Sequence, residues 1–260
     1  MSATSVNEII DNFGSKTKFY DQYSRIQKLS GQMLLERIPD LNFQRVLDLG
    51  CGTGFFIPNL QELARQVTCL DASEQMIGFV KAHYPTVDTI LGNFDDLDNY
   101  VKSNYDLIVS NYSLQWSQNL PKLFASIPRC STKNAMFAFA FPVEGSLSEL
   151  KQAFRAIGED GFINEFYTEA QVKQYLADAK LNNYSVSVTT ETVRLVYPGV
   201  LDVLRSISKV GAYTNTNEKR EHRLSKKIIR DLVQYTQKNS EKANVFNISW
   251  KICFIIGTRV

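Results

Sequence analysis

The chain has 260 residues, 44% of them hydrophobic and 22% charged, and a formal net charge of +2. This is an ordinary globular composition with room for one large α/β domain or two small ones, and the near-balanced charge gives no global pull toward nucleic acid or a membrane surface. The cysteines Cys51, Cys69, Cys130 and Cys253 are scattered, and His83 and His222 are the histidines; no metal-ligand spacing exists, so no metal is expected and the thiols read as small buried side chains of a reducing compartment.

Residues 1–8 lack the basic head and apolar core of a signal peptide, and no apolar run approaches the ~18 residues of a membrane span, so a cytoplasmic location is expected. Residues 5–38 carry helical spacing through Ile9, Ile10 and Phe13, then Phe19, Tyr20, Tyr23 and Ile26, then Leu29, Met33, Leu34 and Ile38, and Pro39-Asp40 stops it. Preceding the first strand, these helices are free to fold over one end of a sheet, and residues 1–40 are read as an N-terminal helical cap. The rings of Phe13, Phe19, Tyr20 and Tyr23 either pack on the domain or place Tyr20, with Asp21, in a site.

The run Arg45-Val46-Leu47-Asp48-Leu49 is a buried strand that breaks into a loop with Gly50, Gly52 and Gly54 at alternate positions. Glycine without a Cβ takes positive φ and lets a ligand approach the backbone. The next strand, Gln66 to Leu70, ends in Asp71 followed by Ala72, and an acid about 20 residues after such a loop is where a ribose diol is held. The dinucleotide spacing is G-x-G-x-x-G, whereas this loop reads G-x-G-x-G just after Asp48, where a pyrophosphate would be repelled and a cationic amino-acid end welcomed. A nicotinamide-dependent dehydrogenase is therefore disfavoured.

Beyond the loop a helix is expected over Phe55 to Arg65, and Ser73 is placed to cap a helix over Glu74 to Tyr84. A third strand, Val87 to Leu91, leads to Asn93-Phe94-Asp95, where Phe94 offers an apolar face for an adenine and either Asn93 or Asp95 an acceptor for its amino group. Tyr105 to Asn111 is a buried strand opening into Tyr112-Ser113-Leu114-Gln115-Trp116; at the switch point of a doubly wound sheet that end lies over the ligand, with Tyr112 and Trp116 able to wall off solvent. A helix over Pro121 to Cys130 precedes a fifth strand, Ala135 to Phe141, apolar on both faces. Helices are then expected up to Ile157, from Thr168 to Leu181, over 199–211 and over 224–238, with strands Ser185 to Tyr197 and Ser249 to Gly257 between and after them. The whole reads as an α/β fold built on a doubly wound, seven-stranded, mostly parallel, Rossmann-like sheet. In this one domain, 41–144 is the cofactor-binding core, and 145–182 and 198–244 are helical insertions forming a lid over a substrate.

The loop Asp48 to Gly54 resembles motif I of the class I S-adenosylmethionine-dependent methyltransferases. More specifically, Tyr20-Asp21, Asp106 to Trp116 with its Ser-Asn-x-x-x-Gln-Trp ending, Glu144-Gly145-Ser146-Leu147-x-Glu149-Leu150, Asn164-x-Phe166 and Arg205-Ser206-x-x-x-x-Gly211-Ala212 together resemble the malonyl-acyl-carrier-protein O-methyltransferases of biotin synthesis. That resemblance implies methyl transfer from S-adenosylmethionine, leaving S-adenosylhomocysteine, to the free carboxylate of a malonyl thioester on acyl carrier protein or coenzyme A. It implies cofactor contacts from Tyr20, Asp48, Gly50, Gly52, Gly54, Asp71, Ala72, Met76, Asn93, Phe94, Asn111 and Tyr112, with Asn93 standing where the family often carries an acid. The acceptor would meet Gln115 and Trp116, and its carboxylate would be held by Arg205, or by Arg155 or Lys209. Tyr20 and Arg205 are the expected catalytic pair. An ionised carboxylate needs no general base, in keeping with the lack of any triad. The cluster Lys219, Arg220, Arg223, Lys226, Lys227 and Arg230 is either a solvated face or a dock for an acidic carrier. No nucleic acid or membrane partner is expected, and the oligomeric state is not written in the residues, with a monomer the expectation. Other outcomes are methylation of a free polycarboxylate of the aconitate type and cofactor binding without catalysis.

Overall fold

A computed structural model describes residues 25–101, 105–209, 224–239 and 245–260, apart from the side chains of 208 and 209. Its strands are β1 (Phe43–Leu49), β2 (Ala64–Asp71), β3 (Asp88–Leu91), β4 (Tyr105–Asn111), β5 (Ser131–Pro142), β6 (Tyr184–Tyr197) and β7 (Phe246–Arg259). They form a seven-stranded sheet in the order β3-β2-β1-β4-β5-β7-β6. Neighbours from β3 to β5 run parallel, and β7 lies antiparallel between β5 and β6. The described helices are α1 (Arg25–Leu35), α2 (Ile57–Leu63), α3 (Glu74–His83), α4 (Leu97–Tyr100), α5 (Leu120–Cys130), α6 (Ser148–Ala156), α7 (Glu169–Asp178), α8 (Val200–Lys209) and α9 (Lys226–Asn239), with short 3₁₀ turns at Phe94–Asp96 and Leu114–Trp116. Among them none is long and apolar enough to cross a membrane.

The period-2 alternation of each strand sorts the core into two layers. Leu47, Leu49, Ile108, Phe137, Phe139, Cys253 and Ile255 face one layer with α5 and α7, while Val46, Leu107, Val109, Ala138, Ala140, Ile252 and Phe254 face the other with α1, α2, α6, α8 and α9. Strand β5 is buried from Ala135 to Pro142, as an inner strand apolar on both faces must be. Gly257 lies opposite Phe137, whose ring comes within 2.2 Å of where a Cβ would stand.

Element types follow the sequence, and several boundaries move. The helix expected from Phe55 to Arg65 is confined to Ile57–Leu63, because Pro58 fixes its start and parallel pairing of Phe43 with Ala64 draws the chain into β2 early. Thr168 does cap α7, in a full capping box with Gln171, yet the helix stops at Asp178 rather than Leu181 as Lys180 turns left-handed at φ 52°. Strands β6 and β7 outrun their apolar cores because they pair all along, from Tyr184 opposite Arg259 to Tyr197 opposite Phe246. The connections after β5 carry α6 and α7, and those after β6 carry α8 and α9, where helical insertions were expected.

Candidate active site

The loop after β1 has the backbone that its glycines were expected to need. Gly50, Gly52 and Gly54 take φ of 71°, 55° and 79°, the left-handed region that costs a Cβ-bearing residue steric strain. At Gly50 a Cβ would sit 2.5 Å from the Cβ and Oγ of Ser113. That close approach is a designed contact: the Ser113 hydroxyl donates to Gly50 O at 2.8 Å, and the Ser110 hydroxyl to Leu49 O at 2.7 Å. From the other side, Gly50 N and Cys51 N both donate to Leu70 O, at 2.7 and 3.1 Å. The loop is thus hung between the ends of β2 and β4.

Two acids flank it. Asp71 ends β2 and is half-buried; its Oδ2 accepts Gly52 N and its Oδ1 accepts Ser73 N, each at 2.9 Å. Burial pushes its carboxyl up, outweighing the pull of the amides of Ser73, Gly52 and Ala72. Asp48 is 3% exposed. Burial first, and the like charge of Asp71 second, raise its carboxyl to about 7. Burial and the neighbouring Cys69 thiol likewise raise Cys51, with the Cys69 hydrogen bond the larger cause. A neighbourhood of buried acids that repel each other has a deficit of positive charge, which a cationic ligand would fill.

Beside the loop, a narrow cleft is lined by Tyr112, Gln115, Trp116, Leu147, Phe166 and Trp250, among others. Tyr112 and Leu147 are non-glycine residues held left-handed, at φ 59° and 58°. Such strain concentrates at ligand sites. The lining residues that the structure describes include no lysine, arginine, aspartate or glutamate.

A family model described as a methyltransferase domain matches residues 47–139, the stretch that carries the glycine loop and β2 to β5. A malonyl-acyl-carrier-protein O-methyltransferase from Pectobacterium atrosepticum is 30% identical over 78% of this chain and 78% of its own length. This chain belongs to that family. The enzyme of the same name from Buchnera aphidicola is 28% identical over 95% of this chain and 96% of its own. Among solved structures, the YcgJ protein of Bacillus subtilis superposes with a TM-score of 0.62 at 12% identity, over 89% of this chain and 98% of that one. This member of the family is accordingly an S-adenosylmethionine-dependent O-methyltransferase of class I fold. The acid-flanked glycine cradle fits a donor that carries a sulfonium and an ammonium.

In this methyltransferase the residues named from sequence fall into groups. Asp48, Gly50, Gly52, Gly54, Asp71 and Ala72 surround the loop, and the Phe94 ring lies 3.6 Å from the Cβ position of Gly50. Met76 is buried in α3, whose cap is Ser73 as expected, the hydroxyl accepting Met76 N at 3.4 Å. Asn93 caps the 3₁₀ turn through Asp95 N at 3.0 Å. Asp95 is buried, and its oxygens accept the Ser117 hydroxyl at 2.5 Å and Gln118 N at 2.8 Å. Of the two proposed adenine readers, Asp95 is therefore committed to the chain itself. Asn111 is largely committed too, donating to Gln27 O at 2.9 Å and accepting the Ser30 hydroxyl at 2.5 Å, which seats α1 on the tip of β4. Gly31 makes that seating close, for a Cβ there would meet Phe56 at 2.7 Å.

Tyr112, Gln115 and Trp116 line the cleft. The basic residues do not. Helix α8 buries Val200, Val203 and Ile207, spaced three and four apart, so Ile207 reaches the cleft while Arg205 points away, 65% exposed and paired with Asp202 at 3.0 Å. Arg205 instead borders an outer groove between α8 and α9. Arg155 is out of phase with buried Leu150, Ala153 and Phe154 on α6, 66% exposed and 3.8 Å from Asp160. Tyr20 and the side chain of Lys209 lie outside the described residues. Ser110 and Ser113, the loop's buttresses, escaped sequence reasoning although they sit in the Ser-Asn-x-x-x-Gln-Trp segment; Trp250, in a strand that reads as plain core, gave no sign of itself.

Proposed function

We propose that the chain transfers the methyl group of S-adenosylmethionine to the free carboxylate of a malonyl thioester on acyl carrier protein, giving the methyl ester that primes the pimelate moiety of biotin. The observation that carries this is the pairing of an acid-flanked glycine cradle with an adjoining cleft whose described lining is uncharged, in a chain whose relatives along most of its length bear that activity in their names. Two further relatives are named biotin biosynthesis bifunctional proteins.

When bound, S-adenosylmethionine supplies an activated methyl carbon. The chain's own task is to align and to dry. Gly50, Gly52 and Gly54 cradle the amino-acid end, with Asp48 as the buried counter-charge to its ammonium. Asp71 keeps lone pairs beyond those it gives to Gly52 and Ser73, and these receive the ribose hydroxyls. Phe94 backs the adenine. Tyr112 and Trp116 would exclude water from the line between an acceptor carboxylate and the methyl carbon that the bound donor would supply. The acceptor is ionised at neutral pH, so no proton need move. Alignment of this kind is worth up to ~7 to 11 kcal/mol of barrier.

The helices within 145–182 and 198–244 act as the cap, and the basic face of α9 around Lys226, Lys227 and Arg230 meets the acidic carrier. Incubation with labelled S-adenosylmethionine and either malonyl carrier protein or free aconitate, followed by mass spectrometry, tests the assignment. A methyl ester on the carrier is expected; ester on aconitate alone would overturn the substrate.

A further inference from the structure

Strand β5 stops pairing with β7 at Pro142 opposite Ile252. Beyond it the segment Gly145 to Leu150 takes over as the partner of β7, gripping the two residues that flank Trp250. On one side, Leu147 N donates to Ser249 O at 2.7 Å, and Glu149 accepts both Ser249 N at 3.0 Å and the Ser249 hydroxyl at 2.5 Å. On the other, Ser146 Oγ accepts Lys251 N and donates to Lys251 O, both at 3.0 Å. Burial works against the Glu149 charge, yet the Ser249 bonds hold its carboxyl below the usual range, so the clamp is ionised and closed at neutral pH.

The residue between these grips is itself fixed. The indole of Trp250 stands edge-on to Tyr112, with centroids 5.7 Å apart, and to Phe166 at 6.5 Å. It is 5% exposed and lines the cleft, and its Nε1 is buried without a hydrogen-bond acceptor. Gln115 anchors its amide nitrogen on Tyr112 O at 2.7 Å. A buried donor left without an acceptor is a standing cost unless something arrives to accept from it. With no basic side chain among the described lining residues, the polar hold on an acceptor falls to neutral groups. A single N–H can orient the acyl group, and an ionised carboxylate with about four lone-pair sites keeps others for attack.

We infer that the indole N–H of Trp250 donates to an oxygen of the acceptor's acyl group, and that the Gly145–Leu150 segment is the device that positions it. This rests on the proposed carboxyl-bearing acyl substrate. Trp250 is a binding and orienting group, and Ser146 and Glu149 are positioning residues that act through it.

Trp250→Phe keeps the ring contacts and removes the donor. With malonyl carrier protein, kcat/KM is expected to fall about tenfold, the size of one lost neutral hydrogen bond, while the S-adenosylhomocysteine dissociation constant by calorimetry stays within about twofold of wild type. Glu149→Gln, which loosens the grip on Ser249, is expected to reproduce the acceptor defect in part, again with cofactor affinity retained; it also serves if Trp250→Phe does not fold. Wild-type kcat/KM in Trp250→Phe, or an equal loss of cofactor affinity in either variant, would overturn the assignment. Absence of methyl ester from wild-type protein would instead overturn the substrate reading, and the two failures are distinct.

Discussion

The glycine cradle and the cleft beside it are built by opposite means. The cradle is one contiguous stretch of backbone, Asp48 to Gly54, hung on hydrogen bonds from β2 and β4 and flanked by buried acids. Among the described residues, the cleft is walled by aromatic and other uncharged side chains from several distant segments. On the proposed reading, a cationic donor would be recognised by one local stretch of backbone, and the acceptor by a surface drawn from distant parts of the chain.

The sharpest way to break the cradle is Gly50→Ala. The new methyl group meets left-handed strain and Ser113 at 2.5 Å, and displacing Ser113 forfeits its bond to the loop. Cofactor affinity by calorimetry is expected to drop about a hundredfold, the equivalent of ~2.7 kcal/mol. Acceptor-side variants such as Trp250→Phe should leave that affinity alone; if both sides moved together, the division would be false.

Asp48 sharpens the electrostatic half. Its native carboxyl is raised from 3.8 to about 7, so the stability it lends is full below about 4 and lost as pH rises through about 7. The penalty for ionising it without a cation is of order 4 kcal/mol. A cationic ligand removes that penalty. Thermal stabilisation by S-adenosylmethionine should therefore grow with pH between about 4 and 7, with proton release detectable as a buffer-dependent binding enthalpy. Asp48→Asn should flatten the profile, raise the melting temperature of the ligand-free protein at pH 8 and weaken donor binding about tenfold. A wild-type profile in the variant would mean that Asp48 does not sense the donor.

Why one half was legible and the other less so follows from the same contrast. Gly50, Gly52 and Gly54 announce themselves because the backbone conformation they permit is a local property of sequence, and Asp71 by its spacing from them. The sheet was legible from its short apolar runs, read as buried strands between turns and helices. The wrong-facing Arg205 shows the limit: residue type suggested a carboxylate holder, yet the helical phase set by Val200, Val203 and Ile207 turns it to the outer groove. Trp250 was invisible because nothing in an alternating apolar strand reveals where its neighbour β5 ends. Asn111 and Asp95 were singled out as polar groups near a ligand, and much of their capacity goes to holding α1 and the start of α5.

Two smaller effects bear on the outer cap. Reversing Lys226 and Lys227 to glutamate is expected to lower kcat/KM for malonyl carrier protein about fivefold to tenfold at low salt and to change the coenzyme A substrate less, because charge on an exposed face acts through encounter. Equal losses on both substrates would remove α9 from docking. Arg205→Ala should be milder still, within about twofold in KM for malonyl-coenzyme A, since its exposed pair with Asp202 is worth little. A large rise would show that α8 turns on binding and brings the guanidinium inward.

The chain holds two tryptophans, and both Trp116 and Trp250 line the cleft. Indole emission would consequently serve as a built-in optical gauge of the cleft. Stopped-flow mixing of each ligand in turn can read the order of entry without any added dye.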